Sequence, residues 1–146
     1  MNMKVRFAVC GLLLSMASIE GALAQKYSEG QVWHYKTRPG ETGSLLRIAR
    51  IETHPKLGQV FHIGLVGLSV RSPYAETGFT SEVAHFPVSR AALDKSVTKL
   101  SRARPVFPDV EEGYAEWQRA NGGVFTLSVA EIVSAVEETV QRGSPK

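Results

Sequence analysis

The chain has 146 residues, 17 basic and 14 acidic side chains, a net charge of +3 and a single cysteine. That length suits one domain with a real core. The charges are scattered, with no basic run beyond Arg102 to Arg104, so a nucleic-acid partner is excluded as the expected one.

The N-terminus reads as an export signal. Lys4 and Arg6 form a positive start, Phe7 to Ile19 an apolar stretch, and Ala22-Leu23-Ala24 a small-residue cleavage site before Gln25. The apolar stretch is shorter than the roughly 20 residues a spanning helix needs. The expectation is a signal over 1–24 and one mature domain over 25–146, periplasmic or secreted, with no stable membrane insertion after cleavage. Removing Lys4, Arg6 and Glu20 leaves 15 basic and 13 acidic residues. Cys10 leaves with the signal, so the mature chain has neither a disulfide nor thiolate chemistry.

Four strands follow. Residues 30–37 alternate, with Trp33 and Tyr35 on one side and His34 and Lys36 on the other. Residues 38–43, "RPGETG", are turn chemistry, and 44–53 the return strand. After a turn at 54–58, residues 59–70 are nearly continuously apolar, which predicts an inner strand covered on both faces. A loop at 71–78 leads to a fourth strand at 79–86. Short connections predict an antiparallel meander.

The period then changes. Ser89 is placed to cap a helix whose face is Leu93, Val97 and Leu100, with Val88 and Leu93 as a hydrophobic staple. Two prolines break 103–109. Asp109 opens a second helix with Val110, Tyr114 and Trp117 on its apolar face, stopped by Asn121-Gly122. Residues 123–127 read as a fifth strand. Ser128 and Glu131 then make a capping box for a last helix striped by Val129, Ile132, Val133, Val136 and Val140. The chain order ββββααβα segregates strands from helices. It predicts an α+β domain: an antiparallel sheet of about five strands with helices on one face.

Catalytic motifs are absent. There is no G-x-S-x-G elbow, P-loop or G-x-G-x-x-G. Ser96-x-x-Lys99 lacks every companion motif of the penicillin-recognising enzymes. Glu111-Glu112 and Glu137-Glu138 read as solvated helix faces, because adjacent helical residues diverge. The histidines, His34, His54, His62 and His85, have no metal-ligand spacing, so neither a metal nor a cofactor is expected. His62 and His85 are the nearest candidates for one.

What remains is a small exported binding protein of unknown ligand, a protein partner being expected ahead of a small molecule, and an immunity or inhibitor protein is one form. Its candidate binding residues are Trp33, Tyr35, Arg38 and Glu41, around the 38–43 turn, with Arg38 and Glu41 able to pair across it. The loop at 71–78 is a second candidate surface. The alternative is a small exported hydrolase or metal-binding protein built on strand histidines, with Glu82 or Ser81 beside His62 or His85.

Overall fold

The computed structural model describes residues 26–143. The expected signal at 1–24 lies outside the described residues. Among those described, no helix is long and apolar enough to cross a membrane.

The strands are β1 (Val32–Tyr35), β2 (Leu45–His54), β3 (Gly58–Arg71), β4 (Phe79–Ser89) and β5 (Val97–Leu100). The helices are α1 (Arg90–Ser96), α2 (Glu111–Arg119) and α3 (Val129–Arg142). The strands form one antiparallel sheet in the order β4-β3-β2-β1-β5. The expected α+β class, the five-stranded antiparallel sheet and the β1-to-β4 meander are all present. The 32–48 hairpin is interior, because β5 pairs with the free side of β1.

One strand differs from the expectation. The helical face of Leu93, Val97 and Leu100 is broken, and the fifth strand is Val97–Leu100 rather than 123–127. The helix stops because Ser96 turns its hydroxyl back to the Ala92 carbonyl (2.6 Å) and receives the Val129 N–H (2.9 Å), which locks it in place. β-Branched Val97 and Thr98 then extend; Val97 pairs with Tyr35 and Lys99 with His34, and Thr98 is the extra residue between them. Local helical periodicity loses to the unpaired edge of β1. Residues 123–127 contribute one parallel bridge, in which Phe125 exchanges two backbone hydrogen bonds with Pro87 and Ser89.

The helices divide between the faces of the sheet, where the sequence suggested one. α1 and α3 cover the face that carries Trp33, Leu46, Ile48, Phe61, Ile63, Leu65, Phe86 and Val88. Each fully buried aliphatic or aromatic chain here contributes about 1.5–3 kcal/mol by leaving water. The opposite face carries His62 and is covered by α2, through Tyr114 and Trp117, and by Phe107 of the preceding loop. β3 is thus covered on both sides, as its apolar run predicts. Two of the three expected helix starts are capped as read: Ser89 accepts from the Ala92 N–H, and Ser128 and Glu131 close a capping box; the α2 N-cap is Val110 without a side-chain cap, and Asp109 just before it accepts the Glu111 N–H instead.

Four irregularities re-aim the strands, the first being Thr98, the extra residue of β5 opposite the step from His34 to Tyr35. Ala49 is an extra residue in β2, since Ile48 faces Ile63 while Arg50 faces His62. β4 carries one extra residue between Phe86, opposite Ile63, and Val83, opposite Leu65. β3 spends four steps between Val66 and Val70 while β4 spends two. Gly67 lies in this last bulge at φ +76°, and a Cβ there would stand 3.0 Å from the Ser44 Cα. The bulge reverses the alternation: before it Phe61, Ile63 and Leu65 enter the core, and after it Leu68 and Val70 do.

Candidate functional site

Two polar clusters stand apart from ordinary surface. The first is built where the β1–β2 turn meets α3. Pro39 and Gly40, the latter at φ +81°, turn the chain so that Arg38 and Glu41 face each other. Arg38 Nε bonds Glu41 Oε1, Nη1 bonds Glu137 Oε2 at 2.5 Å, and Nη2 bonds the Ser69 carbonyl at 3.2 Å. Glu137 Oε1 accepts the Arg71 backbone N–H at 2.6 Å. That N–H, and then Arg38, hold the Glu137 carboxyl below its ordinary value. The bonds are charge-assisted and largely shielded from water, which makes them stronger than surface pairs.

Glu41 is only 3 % exposed, and its Oε2 has no hydrogen-bond partner. Nearby, Tyr35 Oη meets Ser44 Oγ (2.7 Å), and Ser44 donates to the Val66 carbonyl. Burial pushes the Tyr35 phenol up to about 12. Arg38, Glu41 and Glu137 line a cleft of about 530 Å³ together with Pro39, Gly40 and Phe79, among others. Arg71 and Glu138 complete its charges, so two arginines face three carboxylates.

The structure therefore splits the four expected binding residues. Arg38 and Glu41 meet in the cleft. Trp33 and Tyr35 are 6 % and 7 % exposed and belong to the core. The end of the 71–78 loop adjoins the cleft through Arg71 and Phe79. Glu137 was missed. The signal for it is its position four residues after buried Val133, at the margin of the apolar stripe rather than on the solvated back of the helix.

The second cluster lies under α2. His62, fully buried on β3, places Nδ1 2.8 Å from His85 Nε2. The rings are near-coplanar, at 13°. His62 Nε2 is 3.4 Å from Glu52 Oε1, close enough for attraction but not aligned as a hydrogen bond. Tyr114 Oη donates to Glu52 Oε2 at 2.8 Å. Tyr114 and Trp117 set their rings edge-on to His62 at 4.8 and 4.7 Å. Gly113 permits this approach, since a Cβ there would lie 2.6 Å from His85 Cβ. Burial, opposed by Glu52, lowers the His62 pKa, and burial with His62 beside it lowers His85 to about 4. Both shifts favour the neutral rings.

Chemically, this is a chain of carboxylate, imidazole and imidazole in which His62 is fully buried while Glu52 and His85 are partly exposed. Glu52 alone of the three lines the adjoining hollow of about 330 Å³, with His54 and Trp117 on its walls. His54 instead caps its own turn, accepting the Lys56 and Leu57 N–H groups on Nδ1. His34 is on β1, paired with Lys99. Ser81 and Glu82 are exposed on β4. Among the described residues, no group of three or more His, Cys, Asp or Glu side chains is placed to hold a metal ion.

No protein-family model, curated protein or solved structure matches this chain. Its function is therefore argued from its own geometry.

Proposed function

We propose that this is a small exported protein that binds a protein partner through the cleft formed by the 38–41 turn, the β3–β4 end and α3. The observation that carries this reading is the open cleft of about 530 Å³ itself, whose walls set Arg38, Arg71, Glu137 and Glu138 beside the half-exposed Phe79, with Arg38 held in place by Glu41 and Glu137. The absence of a catalytic motif and the signal-like N-terminus fit an immunity or inhibitor protein, which acts by occupying another exported protein.

The test is affinity capture of the C-terminally tagged chain from outside the cytoplasm of its host, with N-terminal sequencing of the recovered protein. The expected results are a first residue at Gln25 and one stoichiometric partner that is lost on Glu41→Gln or Phe79→Ser while the fold is kept. A partner indifferent to both changes removes the cleft from the reading.

A second reading, an acid–base site, has the Glu52–His62–His85 chain in its favour. The complete burial of His62 counts against it, because a catalytic group must reach its substrate.

A further inference from the structure

We infer that the surface formed by β1, β5 and the segment 101–108 docks on an anionic bilayer, lying against its headgroups. This contact is separate from the cleft.

The sequence scatters the cations concerned, and the pairing of β5 with β1 gathers them. Lys99 lies opposite His34. The Lys36 N–H donates to the Ser96 carbonyl at 2.9 Å, which places Lys36 beside the start of β5. The Ser101 N–H donates to the Val32 carbonyl at 2.8 Å, so Arg102 follows at the other end of β1. Arg104 Nη1 turns back to the Ser101 and Ala103 carbonyls, which leave its charge uncompensated. Lys36, Lys99, Arg102 and Arg104 are all exposed, and none is in an ion pair among the described residues. Residues 31–37 and 97–108 contain no Asp or Glu. Of the acids that flank β5 and this segment in the chain, Asp94 is engaged by Tyr27 and Lys26, and Asp109 by the Glu111 N–H. A cluster of one sign attracts a surface of the other.

Two aliphatic side chains stand among these cations. Val106 is 90 % exposed and Leu100 54 %. Val106 is held outward from both sides. Pro105 fixes the backbone before it, and Phe107 after it is buried, with the Arg47 guanidinium 5.0 Å from its ring centre. Pro105 and Pro108 also bias Arg104 and Phe107 to extended backbone. The aliphatic tip is therefore presented with little left to order on binding.

These features favour a bilayer over another macromolecule. The residues lie outside the two clefts described above, and the patch protrudes at Val106 instead of receiving a side chain. Protein hot spots favour aromatic anchors and disfavour Val and Leu. Single-stranded nucleic acid is held by aromatic platforms, which Val106 and Leu100 do not supply. At a bilayer the four cations meet lipid phosphates, and the two aliphatic tips reach the boundary with the acyl chains.

The test is sedimentation of the protein, purified from its own host, with vesicles of phosphatidylcholine, with and without about 30 % phosphatidylglycerol. Phosphatidylcholine alone subtracts any contribution of the apolar stretch Phe7 to Ile19. The expected result is binding that depends on phosphatidylglycerol and is lost at about 0.5 M NaCl. Lys99→Gln, Arg102→Gln and Arg104→Gln should each weaken it about fivefold. All three together with Lys36→Gln should bring it to the level of phosphatidylcholine. Val106→Ser should weaken it several-fold. These sites are exposed, so urea unfolding should barely change. Phe79→Ser, in the cleft, should leave vesicle binding as it was. Binding without phosphatidylglycerol dependence, or undiminished in the fourfold variant, overturns the proposal. Polyglutamate supplies negative charge without an apolar layer. If it binds as tightly as the vesicles, and Val106→Ser changes neither, the surface is one for an acidic protein and the bilayer is overturned.

Discussion

The His62–His85 pair makes stability depend on pH in a window set apart from the carboxylates. His85 is held at about 4 in the fold against 6.5 when unperturbed, by burial and then by His62. A depressed folded pKa means that the unfolded chain binds the extra proton first. Stability is therefore complete above pH 6.5, falls as pH drops towards 4, and levels off below. The slope in that interval approaches 1.4 kcal/mol per pH unit. With half-burial moderating the effect, His85 alone removes about 1 kcal/mol between pH 6.5 and 4.5. His62, also lowered, adds in the same direction, resisted by Glu52 and assisted by Arg50. The other groups around the pair are Tyr114, raised by its bond to Glu52, and Glu111, which pairs with Arg50. Glu137 is held below its ordinary carboxylate value, so its contribution is lost at more acid pH. The perturbation is His85→Gln, whose amide keeps a donor for His62 Nδ1 but does not titrate. Urea unfolding at pH 7.5, 6.5, 5.5 and 4.5 measures both proteins. The wild type should lose about 1 kcal/mol more than the variant between pH 6.5 and 4.5. Parallel curves, or a wild-type curve flat across that interval, would refute the reasoning.

Other consequences follow from the same contacts. Arg38→Met leaves Glu41 buried without its cation and should destabilise by about 3 kcal/mol in urea, whereas the double change Arg38→Met/Glu41→Met should recover part of that loss. Gly67→Ala forces a side chain into φ +76° against the Ser44 backbone; it should cost about 2 kcal/mol and shift the amide resonances of Ser44 and Ser69. Gly113→Ala favours the helix by about 1 kcal/mol on propensity alone. The contact with His85 should reverse the sign, and a rise in melting temperature would show that α2 packs less closely than described. Ser128→Ala removes the capping box of α3 and should cost about 1 kcal/mol, read from thermal unfolding.

The reach of the sequence can be judged from single residues. Ser89, Ser128 and Glu131 were legible because a cap is written in adjacent positions. The apolar run 59–70 told that β3 is covered on both faces. It did not tell that Glu52 or His85 would join His62. Leu46 and Ile48 face the core, so strict alternation would send Glu52 there too; the extra residue Ala49 turns it to the other side. The extra residue in β4 does the same near His85. Bulges are decided by pairing between strands, and one strand's residue pattern does not contain them. The β5 error has a related origin: Val97 satisfies a helical spacing and a strand equally, and the open side of β1 decided between them. Arg38 and Glu41 were found because they are three apart on a turn. Glu137 was not, because the contact spans 99 residues of chain.

The bulge at Gly67 has a bearing on how this protein can change. On its far side, Leu68 and Val70 are committed to the interior, while Ser69 and Arg71 serve the cleft. The strand end is thus two interleaved lists, one that must stay apolar and one free to vary. The lining of the cleft can be rewritten through the second list, a residue at a time, without editing the first.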